Sequence, residues 1–282
     1  MLWDATQFSD ATQSRFRHAW PIGVRDFVAS LNWGRSLSWE HVMRDRPNVL
    51  LIWTDQHRFD ALGAFGNPHI RTPNLDRLAQ GGTLFNQAYC NCPVSMPSRQ
   101  SMLSGLYPSS VGTMWNGTEM DPDVPCIQHD LKPYGYHTAN LGKLHFLNHS
   151  NRDHRIPHPS FGFDEWVISD EPGCYDDAYI AWVRRQAPEQ VAHCRCALPP
   201  AYKGPANDAP PREVHEPYVF RGPEELTHSA FVADQTILSM RRCAARSQPF
   251  FLVAGFYAPH APIDPPKRFV EWYEREDMPL PI

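Results

Sequence analysis

A chain of 282 residues can hold one large domain or two small ones, and its 42% hydrophobic and 20% charged content suit a globular protein. The net charge of -5 argues against a nucleic-acid binder, which usually presents a basic face. No apolar run is long enough to span a bilayer, and Met1 to Gln13 lack the basic start and apolar stretch of a secretory signal, so the expected location is the cytoplasm. The seven cysteines include the Cys-x-Cys pairs Cys90/Cys92 and Cys194/Cys196. The odd count without a signal peptide favours reduced thiols, and zinc binding is disfavoured because zinc ligands are normally spaced by two to four residues and no His stands in register with either pair.

Residues 1–45 show mixed charges and no clear period, apart from a short helix expected over Val24–Leu31. They read as an N-terminal extension to which the sequence assigns no role. The organised part, 46–282, opens on Asn48–Trp53, an apolar run typical of a strand buried on both faces. It ends in Thr54-Asp55-Gln56, and polar groups just past a strand's carboxyl end are where open α/β sheets hold ligands. A helix follows, with Thr72 as N-cap, Pro73 at its first position, Leu75 and Leu78 toward the core, and Gly81-Gly82 as its stop.

Thr83–Tyr89 reads as a strand, Pro97–Leu103 as a helix closed by Gly105, and Tyr136–Leu141 as a strand running into Gly142-Lys143. The proline-rich stretch at about 150–223, with Pro199-Pro200 and Pro210-Pro211, reads as a loop-rich insertion. Glu224–Met240 is expected as a helix with Ala230, Ala233, Ile237 and Met240 on one face. Phe250–Phe256 is a second fully apolar strand, leading into Tyr257-Ala258-Pro259-His260. Strands alternating with helices predict an α/β sheet layered between helices, with Asn48–Trp53 and Phe250–Phe256 as neighbouring central strands ending on one edge.

Ser95-Met96-Pro97-Ser98-Arg99 is the most informative motif. Pro97 sets the first turn of a helix, so the Ser95 oxygen faces free backbone N–H groups and the positive end of the helix dipole. That position suits an anionic nucleophile or an oxyanion, and Arg99, one turn on, reaches the same place. Taken alone, Ser-x-Pro-Ser would be read as a plain N-capping serine. Asp55 and Gln56 both offer the oxygen ligands that hard cations require. Gly142-Lys143-Leu144-His145 and Pro259-His260-Ala261-Pro262 add a Lys and two His beside predicted strand ends. Arg99, Lys143, His145 and His260 together would make an electropositive pocket on an acidic protein. His57, His69, His137 and His228 are weaker candidates.

From Ser95 through Tyr107-Pro108 the chain resembles the signature of the sulfatases of the alkaline-phosphatase superfamily: Cys or Ser, any residue, Pro, Ser, Arg, then Leu-x-Gly. Thr72-Pro73-Asn74-Leu75-Asp76, Phe161-Gly162-Phe163-Asp164, Gly-Lys-x-His and Pro-His-x-Pro follow that family in order over about 46–282. The resemblance implies an alkaline-phosphatase-like sheet, mixed but largely parallel, and hydrolysis of sulfate esters. It implies that Ser95 is converted to formylglycine by a maturase of the serine type. It also implies that Asp55, Gln56 and residue 95 bind a divalent cation, calcium in most members. Lys143 would bind a sulfate oxygen, His145 would sit near the nucleophile, and His260 would contact sulfate and protonate the leaving oxygen.

The family's second metal pair belongs on a later strand. After His260 only Asp264, Glu271, Glu274, Glu276 and Asp277 are acidic, and none ends an apolar strand. The sheet is therefore expected to be incomplete on its C-terminal side, and the chain alone to hold calcium weakly and turn over little. Gln56 keeps open a phosphonate or phosphate ester hydrolase of the same superfamily. The missing pair keeps open a non-catalytic anion-binding remnant.

Overall fold

The computed structural model describes residues 46–148, 153–154, 156–196, 217–273 and 278. The chain divides into two units, Met1–Arg46 and Pro47–Ile282, and the second holds every element below. The expected helix Val24–Leu31, the proline pairs at 199–200 and 210–211, and Glu274, Glu276 and Asp277 lie outside the described residues.

Four parallel strands form one sheet in the order β1-β4-β2-β3: β1 is Val49–Trp53, β2 His137–Gly142, β3 Glu165–Ile168 and β4 Phe250–Gly255. β1 and β4 are neighbours, as their composition predicts, with Val49 opposite Phe251 and Trp53 opposite Gly255. Because all four strands run the same way, all four carboxyl ends open on one edge. β4 is central and every residue in it is buried. Phe251 and Val253 pack on one face against Leu103, Phe146 and Phe163. On the other face Phe250 and Leu252 meet Leu141 and Cys243, and Ala254 meets Phe231 and Val232. This alternation is the two-residue period of a strand with a layer on each side.

Four helices of eight residues or more are described: α1 (Pro73–Gln80), α2 (Ser95–Ser104), α3 (Ala178–Gln186) and α4 (His228–Ala245). α2 ends where Gly105 takes the left-handed conformation (φ 70°) that glycine adopts without strain. α4 starts at the N-cap Thr227, whose side chain accepts from Ala230 N, and a short 3-10 turn over Glu224–Leu226 precedes it.

Several expectations fail for identifiable reasons. β1 is the edge strand among the described residues, not a central one. It pairs on one side only, leaving Val49, Leu50 and Ile52 exposed. Thr83–Tyr89 is an exposed irregular segment, so its apolar residues carry no pairing partner. In α1 no residue is buried, and Leu75 and Leu78 are exposed. The buried stripe of α4 is His228, Phe231, Val232, Thr236, Ser239 and Cys243, while Ile237 is exposed. Thr236 and Ser239 share that interface with Phe231 and Val232, so an apolar tally missed part of the buried face, while Met240 packs against the core as expected. The stretch read as a loop-rich insertion contributes β3 and α3 to the domain.

β2 and β4 meet at a glycine seam. Gly142 lies opposite Gly255, and Lys143 N–H donates to Gly255 O at 2.7 Å. A methyl group on Gly255 would run into the Lys143 backbone, which has nowhere to move. Gly255→Ala should therefore lower stability by about 3 kcal/mol, the upper end of overpacking costs. Gly81→Ala is the control, because its added carbon meets nothing closer than 3.6 Å. Urea denaturation of both variants checks this, and equal, small losses would refute the seam argument.

Candidate active site

The carboxyl edge gathers side chains from three strand ends, those of β1, β2 and β4, and one helix start. Asp55 follows β1, Lys143 follows β2, and Arg99 and Ser95 belong to the first turns of α2. Ser95 is the first residue of α2, after the extended N-cap Val94, not the residue before the helix. The plain capping role is not realised: Ser95 Oγ points at Asp55 Oδ1, 3.4 Å away, and it is Asn116 Oδ1 that accepts the Met96 N–H at 3.0 Å.

Asp55 is the hub. Lys143 Nζ lies 2.5 Å from its Oδ2 and Arg99 Nη2 3.5 Å from the same oxygen. Arg99 Nη1 also donates to Lys143 O at 3.1 Å, which ties the guanidinium to the end of β2. All three charged side chains are buried. Aromatic faces cover the cations: Arg99 stands 4.5 Å from the Trp53 ring centroid and Lys143 Nζ 4.4 Å from that of Tyr257. Burial would raise the Asp55 carboxyl, but the charges of Lys143 and then Arg99 outweigh it and hold the pKa below the usual value. Asp55 is thus a carboxylate at neutral pH. Burial pushes Arg99 down, opposed by Asp55 and Asp170.

The other predicted residues stand around this hub. His260 lies beside Tyr257, with ring centroids 4.8 Å apart. Its Nδ1 is 2.7 Å from Ala261 O, and a carbonyl only accepts, so Nδ1 carries the proton and Nε2 is left as the reactive nitrogen. Burial, then the Lys143 charge, pulls His260 below its ordinary pKa, while Ala261, Asp55 and Glu171 pull the other way. His145 is buried with a left-handed backbone (φ 55°), and its N–H donates to Asp170 Oδ1 at 2.8 Å. Gln56 also has positive φ (56°) and an exposed side chain. Asp55, Ser95, Arg99 and Lys143 are thus brought into direct contact, His260 adjoins them through Tyr257, and Gln56 and His145 flank them in the chain.

Sequence reasoning missed the acids after β3. Asp170 Oδ1 accepts from both Leu144 N, at 2.7 Å, and His145 N, and so shapes the loop that carries Lys143. Tyr257 OH lies 2.7 Å from Ala261 O and 3.1 Å from Glu171 Oε2. Val167-Ile168 followed by Ser169-Asp170-Glu171 is the same signal that exposed Asp55, an apolar run ending in polar groups. The loop reading of that stretch hid it. Of the weaker histidines, His137 sits 3.2 Å from Glu165 at the opposite end of β2, and His228 is a buried residue packed on Tyr179.

A family model for sulfatases matches residues 47–282. The chain belongs to the sulfatase family. It is 31% identical over 253 residues to an arylsulfatase of Clostridium perfringens, covering 84% of this chain and 48% of that protein. It is 30% identical over 242 residues to the N-acetylgalactosamine-6-sulfatase of Rattus norvegicus, covering 79% and 41%. Its fold matches the phosphonate monoester hydrolase of Agrobacterium radiobacter with a TM-score of 0.61 at 26% identity, over 83% of this chain and 45% of that one. The chain thus spans less than half the length of these relatives.

The cation of the sulfatase resemblance can be tested on the donor set. Asp55 Oδ2 is shared by two cationic side chains, and the Ser95 hydroxyl is directed at Oδ1. Among the described residues no group of three or more His, Cys, Asp or Glu comes together to hold a metal ion. Asp55, Gln56 and residue 95 fall well short of the six to eight oxygens calcium takes. The described residues do not by themselves fit the ion.

His228 offers a pH test of this region. Burial, reinforced by the Lys143 charge, holds it down to about 3, against the partial support of Ser169 and Asp170. The unfolded chain takes up this proton near pH 6.5 and the folded chain does not. Stability is therefore lost as pH falls from 6.5 toward 3, by about 1.4 kcal/mol per pH unit. Asp177, raised by burial to about 7, acts in the opposite sense from pH 7 down to its unfolded value. Subtracting the parent from His228→Phe cancels that contribution. Urea midpoints should show the variant gaining on the parent steadily below pH 6.5; a constant difference would contradict it.

Proposed function

We propose that this chain carries the anion clamp and nucleophile of a sulfate-ester hydrolase. The observation that supports it is the contact cluster of Ser95, Asp55, Arg99 and Lys143 at the carboxyl edge of the sheet. Arg99 and Lys143 present two fixed positive groups, in a water-poor setting, to a tetrahedral anion. The start of α2 adds the positive end of its dipole beside residue 95. The formylglycine that the resemblance implies at residue 95 would, once hydrated, supply two hydroxyls: one to attack sulfur as the S–O bond to the alcohol breaks, and one whose deprotonation would expel sulfate as the aldehyde re-forms. Asp55 orients the residue-95 oxygen and keeps Lys143 in place. His260, its Nδ1 fixed on Ala261 O, presents Nε2 to the leaving oxygen. Its depressed pKa leaves it neutral in the free protein, and an arriving anion favours its protonation, so proton delivery is coupled to binding.

A phosphonate monoester hydrolase is the second reading, favoured by Gln56 and by the likeness to the Agrobacterium enzyme. Parallel assays on an aryl sulfate and an aryl phosphonate monoester separate the two. Residue 95 is first read by peptide mass spectrometry. Ser95→Ala should abolish turnover, and Lys143→Ala should weaken inorganic sulfate or vanadate binding at least about tenfold, the loss of a charge-assisted contact. Calorimetric affinity unchanged in Lys143→Ala would remove the clamp from the argument.

A further inference from the structure

The sequence offers Cys194 and Cys196 as a pair, but the fold gives each a different neighbour. Cys194 belongs to the buried cluster with Tyr179 and Phe231, its Sγ 4.0 Å from Leu226 O. Cys196 instead meets Cys174, 22 positions earlier in the chain, with the two sulfurs 3.7 Å apart. Both are free thiols. The distance is that of unbonded sulfurs in contact, and side-chain rotation can bring them to bonding range.

The backbone holds these two cysteines together. Cys196 N–H donates to Gly173 O at 3.2 Å, and the Cys196 thiol donates to Pro172 O at 3.2 Å. Gly173 has φ 83°, and a side-chain carbon there would fall 2.4 Å from Cys194 O, so the two segments touch main chain to main chain. The Arg195–Asp176 ion pair crosses the same junction. Cys174 is buried. Cys196 is partly exposed and lines a cavity of about 920 Å³ whose wall includes Tyr257 and His260. One sulfur is therefore open to a small reagent, and the other stands behind it. Among the described residues no third His, Cys, Asp or Glu joins the two thiols to hold a metal ion.

We propose that Cys174 and Cys196 form a modification site, oxidised to an intramolecular disulfide by exchange with a small disulfide. The Cys196 thiolate attacks one sulfur of that reagent, the reagent's S–S bond breaks, and one small thiol leaves. Cys174 then attacks the Cys196 sulfur of the mixed disulfide, and the second small thiol leaves. The two protons and two electrons lost by the protein end on the two small thiols. The new bond closes a loop of 22 positions and so removes freedom from the unfolded chain. It also fastens the turn that begins at Glu171. There Cys174 N–H donates to Glu171 O at 3.2 Å, and the Glu171 carboxylate meets Tyr257 OH at 3.1 Å. None of this depends on which ester the clamp takes.

The test incubates the full chain with glutathione disulfide and glutathione at graded ratios. Remaining thiols are then blocked with N-ethylmaleimide in denaturant, and the digest is read by mass spectrometry. A peptide linking Cys174 to Cys196 should form at ratios where Cys126, Cys194 and Cys243 still carry the maleimide. The oxidised chain should melt about 5–10 °C above the reduced one, as a cross-link over a loop of this length predicts. Cys174→Ser should stop the exchange at the glutathione adduct of Cys196 and abolish the melting shift. Cys196→Ser should leave Cys174 unmodified. Where a variant folds poorly, the linkage and melting shift of the parent decide alone. No Cys174–Cys196 peptide at any ratio, linkage to Cys194 in its place, or equal yield from the urea-unfolded chain overturns the proposal. So does a melting shift that survives in Cys174→Ser.

Discussion

One buried carboxylate organises this edge of the molecule. Asp55 pulls Lys143 from the end of β2 and Arg99 from α2 onto the end of β1. Without it two desolvated cations would face each other, and removing one partner of a buried ion pair typically costs about 3–5 kcal/mol. Without the cations, burial would drive Asp55 toward its neutral form. Each charge is tolerable only in the presence of the others. The parallel sheet makes the meeting possible, since parallel strands deliver all their carboxyl ends to one edge.

The same dependence explains how the clamp is joined to its surroundings. Tyr257 lies under the Lys143 ammonium and beside the His260 ring, while its hydroxyl reaches Ala261 O and Glu171. One side chain thereby couples the position of a cation to the position of a histidine. It also stands between the charged clamp and the neighbouring cavity. A residue at such a boundary needs an apolar face and a polar tip, which is what a tyrosine offers.

Where the sequence carried a dense local signal, the structure follows it. Phe250–Gly255 is apolar throughout and is a buried central strand, and Ser95–Arg99 opens a helix whose stop, Gly105, could be read directly. Asp55, Lys143 and His260 were legible because each stands a residue or a few past an apolar run. Burial was less legible, because it depends on what a strand or helix meets. β1 has the composition of a central strand and an edge position. Leu75 and Leu78 have helical spacing and no core beneath them. α4 buries Thr236 and Ser239 because Thr236 bonds to Val232 O and Ser239 to Glu165, satisfactions that no hydropathy pattern contains. Asp170 and Glu171 were hidden for a different reason: the prolines flanking them suggested loop, and β3 is only four residues long.

Charge arithmetic carries the site one step further. Arg99 and Lys143 face Asp55, which leaves one positive charge in the contact cluster. A sulfate monoester carries one negative charge at neutral pH, and so does a phosphonate monoester. A phosphate monoester carries nearly two. The second charge would lie close to Asp55, in surroundings dry enough that repulsion is poorly screened. His260 could offset it only by taking up a proton that its surroundings disfavour. The cluster therefore matches singly charged tetrahedral esters better than doubly charged ones. The family's sulfate chemistry and the structural likeness to a phosphonate monoester hydrolase fall on the same side of that divide. The charge of the clamp therefore does not discriminate between those two.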